Sequence, residues 1–177
     1  MRACCYLLLL AIGLTGCSGI TISGVDKADN FQISNYKTFD FYQIEVSGDV
    51  VSANSKQNLE LLKSAIKKEL QAKGLTQTAS DPNLLVNIGV VVVEKVQTRE
   101  SRLGEDPTYM GPRNYSWERH EIEVGRYREG TVTVHLVERE AKKLVWKGAA
   151  EGVLPSKDTN VPATIEVAMK ELFAKLN

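Results

Sequence analysis

The residues best suited to chemistry lie in one short stretch, Glu118-Arg119-His120-Glu121-Ile122-Glu123, which combines an imidazole with carboxylates. In an extended chain Glu118 and His120 point to the same side, so the stretch offers one imidazole and one carboxylate together. A catalytic zinc ion generally has three protein ligands, and the His-Glu-x-x-His spacing is missing. Glu118 and His120, joined by the distant His135, are the candidate site of a metal-dependent hydrolase. A solvated strand edge or loop is the favoured interpretation of the same residues.

The serines near this stretch give equally little support to a nucleophilic mechanism. Ser101 and Ser116 lack a Gly-x-Ser-x-Gly context, and a serine-type hydrolase would have to recruit His120 or His135. His135 alternates with Thr133, which favours a residue on a polar strand face over a general base. The glycines form neither Gly-x-x-x-x-Gly-Lys-Ser/Thr nor Gly-x-Gly-x-x-Gly, the two phosphate-binding patterns. We therefore predict a non-catalytic protein without a cofactor or a metal site.

The N-terminus has the order of parts that is typical of a secretory signal peptide. Arg2 supplies a positive charge, residues 3–14 form an apolar run too short to span a bilayer, and small residues precede Cys17. The last four residues of this segment, Leu14-Thr15-Gly16-Cys17, resemble the lipobox of bacterial lipoproteins. The resemblance implies cleavage before Cys17 and attachment of fatty acyl chains, palmitate among them, to its thiol and amine. The membrane is therefore one expected partner.

The residue after the cysteine bears on the location of the protein. Gram-negative lipoproteins that keep an Asp there tend to stay in the inner membrane, whereas this chain has Ser18. The resemblance thus favours the outer membrane, with the domain facing the periplasm. The alternatives are an ordinary cleaved signal peptide with an incidental cysteine, or a short buried segment of a cytosolic protein.

Composition limits what the mature chain can bind. Cleavage before Cys17 leaves 161 of the 177 residues, with 21 basic and 22 acidic side chains, so there is no basic excess for nucleic acid. Cys4 and Cys5 leave with the signal peptide, which removes every thiol except that of Cys17. The predicted organisation is a signal peptide at 1–16, an acylated cysteine with a short tether at 17–23, and one domain at 24–177.

Aromatic and arginine side chains are interleaved in the region before and after the histidine stretch. The four chosen as candidate partner-binding residues are Tyr109, Tyr115, Trp117 and Arg119. Aromatic residues and Arg are enriched where proteins bind partners, and here the partner would be an envelope protein, a glycan or a lipid head group. The favoured alternative is that these aromatics fold back and cover Val91 and Val93 on the second face of the sheet.

The first half of the domain predicts two strands and a helix. Strands are expected near Ile20 to Val25 and Tyr36 to Tyr42, where β-branched and aromatic residues dominate. Asn54 resembles an N-cap, and a helical apolar stripe follows until Gly74 ends it. The members of that stripe are Leu59, Leu62, Ile66 and Leu70, widened by Leu61 and Ala65.

The second half predicts the centre of the sheet. Residues 84–93 are apolar on both strand faces, which indicates a central strand, and residues 94–126 are expected to be a long excursion with one short strand near 115–124. A hairpin is predicted from residues 130–136 to 144–148, and a final helix begins at Asn160 and Pro162. Hairpins without helical crossovers predict a two-layer α+β fold, with a mostly antiparallel sheet and two helices packed on one face.

Three short stretches resemble a known bacterial family, the lipoproteins catalogued as domain of unknown function 4136. These stretches are Tyr36-Lys37-Thr38-Phe39, Asp81-Pro82-Asn83-Leu84-Leu85-Val86, and Tyr127-Arg128-Glu129-Gly130-Thr131 with its continuation through Leu136-Val137-Glu138 to Leu144-Val145-Trp146-Lys147-Gly148. The family often carries Asp where this chain has Asn83 and Glu138. The resemblance implies a lipid-anchored envelope protein with a compact α+β domain, and the family has no established activity. We therefore expect a non-catalytic binding or scaffolding domain.

Overall fold

A computed structural model describes residues 19–48, 55–100, 121–155 and 160–176. Within these ranges the chain forms six strands, two α-helices and one short 3₁₀ turn at Ile33–Asn35. In chain order the strands and helices are β1 (Ile20–Lys27), β2 (Thr38–Gly48), α1 (Ser55–Ala72), β3 (Thr76–Gln77), β4 (Leu84–Glu100), β5 (Glu121–Glu138), β6 (Lys143–Val153) and α2 (Val161–Phe173). None of these helices is long and apolar enough to cross a bilayer.

The six strands form one mixed sheet in the order β1-β6-β5-β4-β2-β3. The pairs β1 with β6, β6 with β5 and β5 with β4 are antiparallel, whereas β2 is parallel to both β4 and β3. The prediction of a mostly antiparallel sheet is therefore wrong, although the fold is α+β. The parallel pairing of β2 with β4 is caused by α1. This helix lies between the two strands in the chain and returns the chain to the end of the sheet where β2 began, as a parallel pair requires.

The sheet has an inner face that carries the core and an outer face without helices in the described ranges. Cross-strand partners place Val86 beside Leu136, and Leu136 beside Trp146, so these side chains share the inner face. All three are buried. The outer face carries the alternate residues, among them His135 and Val91, and 41% of the Val91 side chain is exposed.

Both helices pack on the inner face, as predicted. In α1 the buried residues are Leu62, Ala65, Ile66 and Leu70, a spacing that follows the helical period. The helix ends before Gly74, whose φ of 89° is the left-handed conformation that glycine adopts without a steric penalty. The predicted N-cap, Asn54, lies outside the described residues.

The helix α2 begins with Pro162 in its first turn, where a proline costs no hydrogen bond. It buries Met169, Leu172 and Phe173, and the Phe173 ring lies 5.8 Å from that of Trp146. Leu176, just past the helix, is also fully buried. The spacing in the sequence predicts a buried stripe of Ile165, Ala168, Met169, Leu172 and Leu176. The last three are buried, whereas Ile165 and Ala168 are partly buried against the core, and Phe173 adds an aromatic contact that the stripe did not include.

Two strands extend well beyond the rest of the sheet. β4 pairs with β2 only as far as Val92, and β5 pairs with β6 only from Glu129 onward. Among the described residues, 94–100 and 121–128 therefore pair only with each other, and we call this two-stranded segment the ribbon. At about 3.3 Å per residue, its seven to eight residues extend it by about 23–26 Å. The predicted excursion over 94–126 is thus wrong at both ends, and the short strand near 115–124 is part of a longer one that begins at Glu121.

Candidate functional site: an apolar cavity at the base of the ribbon

A cavity of about 220 Å³ lies between the two helices and the sheet. Its floor is the inner face at the base of the ribbon, where Val92, Gly130 and Gly152 meet. Its walls are apolar side chains of α1 and α2, including Leu59 and Ile165. Such a site can hold an apolar group and offers it few polar partners.

Small residues on the inner face explain why the cavity exists. Along β6 the inward positions after Trp146 are Gly148, Ala150 and Gly152, and β5 contributes Gly130. At the Trp146 end, that indole and Phe173 fill the space between the layers. At the other end the described residues of β4, β5 and β6 that form the floor are valine, alanine and glycine, so the helices cover a gap. This alternation of small residues is a sequence signal for the cavity that the predicted sites did not include.

Polar groups lie at the rim, where hydrogen bonds fix the chain after β6. The Leu154 N–H donates to the Arg128 carbonyl oxygen at 2.8 Å, and an Arg128 guanidinium nitrogen donates to the Pro155 carbonyl oxygen at 3.5 Å. These bonds place the Leu154 side chain over Gly130, where an added Cβ would lie 3.1 Å from it. The absence of a side chain at Gly130 therefore allows the close approach of Leu154 that closes this side of the cavity.

A charged cluster lies on the outer face at the base of the ribbon. Lys95 Nζ lies 2.7 Å from Glu129 Oε1, with Glu151 on the adjacent strand. A hydrogen bond from the Glu151 side chain, together with Lys95, lowers the pKa of Glu129. The same hydrogen bond and the Glu129 charge raise the pKa of Glu151. The bond to Glu129 also raises the pKa of Lys95. The interactions among the side chains of Glu129, Glu151 and Lys95 therefore depend on their protonation states.

Of the three residues proposed for hydrolysis, the structure describes His135. It lies in β5 on the outer face, between Asn87 and Lys147. Glu118 and His120 lie outside the described residues, so a site that unites them with His135 stays a prediction. Across the described ranges no group of three His, Cys, Asp or Glu residues is close enough to hold a metal ion.

The other predicted site residues lie outside the described ranges. They are Cys17, Ser101, Tyr109, Tyr115, Ser116, Trp117, Glu118, Arg119 and His120. Their segment, residues 101–120, joins the two strands of the ribbon at its far end. The covering of Val91 and Val93 by these aromatics therefore stays a prediction.

The first two of the three family-like stretches meet at the start of β2 and β4. Asn83 Oδ1 accepts hydrogen bonds from the backbone N–H groups of Lys37 and Thr38, at 3.0 and 3.2 Å. The Asn83 N–H donates to Thr38 Oγ1 at 2.9 Å. The carbonyl oxygen of Asn83 accepts from the Arg139 N–H, which follows β5. An uncharged amide is sufficient for these bonds, so the Asn in place of the family's Asp keeps the junction intact.

The fold and the cavity define a class of small α+β domains in which two helices cover one face of a mixed sheet and leave an apolar space between the layers. Within that class the chain belongs to the family described as Domain of unknown function (DUF4136), whose model matches residues 23–176. The family membership predicted from the short stretches is confirmed. No curated protein matches the chain.

Two solved structures are similar to the chain at low identity. A PelC dodecamer from Paraburkholderia phytofirmans is 9% identical, with a TM-score of 0.50 over 89% of this chain and 96% of that one. A PDZ domain protein from Parabacteroides distasonis is 12% identical, with a TM-score of 0.47 over 86% of this chain. The match spans only 36% of that second protein. At these identities the likeness concerns the fold alone.

Proposed function

We propose that the protein is a lipid-anchored, non-catalytic binding module of the bacterial envelope, whose cavity receives an apolar group. The observation that carries this proposal is the cavity itself, which is lined mainly by aliphatic side chains and glycine, with Arg128 and Glu151 as its charged lining residues. A mainly apolar lining offers few groups for acid, base or metal catalysis. It favours a ligand that buries methylene or methyl groups, each methylene contributing about 0.8 kcal/mol.

The anchor is the second part of the proposal and rests on the lipobox-like end of the N-terminal segment. With acyl chains on Cys17, the domain would be held at the periplasmic face of the outer membrane. A single chain gives only marginal attachment, whereas two or more make it stable. The ribbon would then present residues 101–120, with Tyr109, Tyr115, Trp117 and Arg119, to an envelope partner.

The cavity is tested by filling it from α2. Ala168 lines the cavity, and Ala168→Leu places three more carbon atoms there while keeping a good helix former. The matched control is Ala163→Leu, on the exposed side of the same helix. A fluorescent fatty-acid analogue is titrated into the Cys17→Ser form of the mature chain. We expect saturable binding that Ala168→Leu weakens at least tenfold and Ala163→Leu leaves unchanged. Equal binding by both variants would contradict the proposal.

The anchor is tested separately by mass spectrometry of the protein isolated from its native membrane. The expected product begins at Cys17 and carries the mass of the acyl chains. A chain that begins at Met1, or a Cys17 of unmodified mass, would remove the anchor and leave the cavity experiment unaffected.

A further inference from the structure

The cavity lies beside the point where the chain enters the fold. Ile20, the first residue of β1, lines the cavity, and so does Gly152, its partner on β6. The approach between the strands is close there, because a Cβ added to Gly152 would lie 3.3 Å from the Gly19 carbonyl oxygen. The N-terminal end of the described chain is therefore part of the cavity wall.

The proposed lipidation site is three residues from this wall. A trans peptide chain spans at most about 3.6 Å per residue, so the Cα atoms of Cys17 and Ile20 are within about 11 Å of each other. A long acyl chain on Cys17 therefore starts within reach of the cavity. A ligand attached by so short a tether has a high effective concentration at its site, which no free lipid in solution matches.

We propose that one of the acyl chains on Cys17 packs into this cavity, so that the domain shelters part of its own anchor. The inference rests on the proposed lipidation of Cys17. The apolar walls suit a methylene chain, and the small residues Gly130, Ala150 and Gly152 leave the space that it fills. When a bilayer is present, the same chain partitions between the cavity and the lipid, because both remove it from water. The cavity thus tunes how many acyl chains hold the protein in the membrane.

Met169 provides a direct probe of this contact. It lines the cavity and is fully buried, and cleavage before Cys17 leaves Met110 as the only other methionine of the mature chain. Protein labelled with ¹³C at the methionine methyl groups therefore gives two signals. The Met169 signal is assigned by its loss in Met169→Leu.

The experiment compares the natural lipidated protein with the Cys17→Ser form, both in deuterated detergent. Detergent protons are then silent, so a nuclear Overhauser effect from the Met169 methyl group to aliphatic protons that is present in the lipidated protein and absent from the Cys17→Ser form reports the chain on Cys17. We expect that effect in the lipidated protein, its absence in the Cys17→Ser form, and its loss in Ala168→Leu but not in Ala163→Leu. The comparison of the lipidated protein with the Cys17→Ser form tests the inference even if Ala168→Leu fails to fold.

Two negative results separate this inference from the proposed function. If mass spectrometry shows an acylated Cys17 and the Met169 methyl group has no contact with acyl protons, the inference is overturned and the anchor stands. If the contact appears only when protonated phospholipid is added, the occupant is a membrane lipid and the inference is again overturned. An unmodified Cys17 overturns both the inference and the anchor.

Discussion

Replacing Gly148 by Ala tests how tightly the layers pack at the filled end of the sheet. Gly148 lies in β6, opposite Val134, and faces α2. A Cβ at this position would lie 2.8 Å from Leu172 Cδ1 and 3.1 and 3.2 Å from two ring atoms of Trp146. Leu172 and Trp146 are both buried and cannot swing into solvent. The substitution therefore overpacks the core.

Overpacking a dense core by one carbon costs about 1–3 kcal/mol. In a domain of this size, each kcal/mol lowers the melting temperature by about 2–4 °C, so we expect a decrease of about 2–12 °C. Gly89→Ala is the matched control, because it changes the same residue type within a strand of the same sheet. A Cβ at Gly89 would meet nothing nearer than Thr133 Cβ at 3.9 Å, on the outer face.

The assay is thermal unfolding of the Cys17→Ser mature chain and its two variants, followed by circular dichroism. Both variants lose the extra flexibility of glycine in the unfolded chain, so the difference between them isolates the collision. Gly89→Ala should melt at or above the temperature of the parent. Equal melting temperatures for the two variants would refute the packing argument at Gly148.

Three further substitutions test other parts of the structure. Leu70→Ala should lower the free energy of unfolding by about 2–5 kcal/mol in urea titration, because Leu70 is fully buried; a change below 1 kcal/mol would contradict its place in the core. Asn83→Ala should cost about 1–3 kcal/mol in the same assay, since two backbone N–H groups lose their acceptor, whereas Asn83→Asp should retain most of the stability. Glu151→Gln should raise stability near pH 7, because the pKa of Glu151 is raised in the folded state and its ionisation with increasing pH opposes folding. That gain should vanish at acid pH, where Glu151 is protonated in both states and Glu129, whose pKa is lowered, also takes up a proton.

The helices and the local strands could be predicted because their signals are local. The stripe in α1 and the proline at the start of α2 depend on residues within one or two turns, and both are confirmed. The hairpin of β5 and β6 likewise joins neighbours in sequence, and Trp146 is buried as a core residue should be.

The parallel pairing of β2 with β4 could not be predicted from these signals. A strand that is apolar on both faces indicates a central position, which is confirmed for β4, but the same pattern fits a parallel or an antiparallel neighbour. The distinction depends on whether α1 crosses over the sheet, a property of tertiary packing. The ribbon was predicted only in part. Residues 121–124 alternate between Glu and an apolar residue and fell within the expected short strand, whereas residues 94–100 have few apolar side chains and their cross-strand hydrogen bonds need none.

The cavity is a third feature that could not be predicted from patterns within single helices or strands. Its apolar lining was predicted as ordinary core, since Leu59, Ile165 and Ala168 follow the helical stripes. Whether such residues meet the opposite layer or leave a space depends on side-chain volumes across the gap, here the glycines of β5 and β6. Predicting such a cavity requires a comparison of the side-chain volumes in the helices with those in the sheet.

The position of β1 in the sheet has a consequence for how the protein is made. Within the described ranges β1 pairs with β6 alone, so Thr21 lies opposite Glu151, 130 residues later in the sequence. If the chain is exported through a membrane with its N-terminus first, β1 stays unpaired and exposed to solvent until β6 has also been exported. Contacts between such distant residues slow folding. The segment nearest the proposed anchor therefore cannot pair before β6 is available, and chaperones would meet it as an unpaired strand beside the membrane.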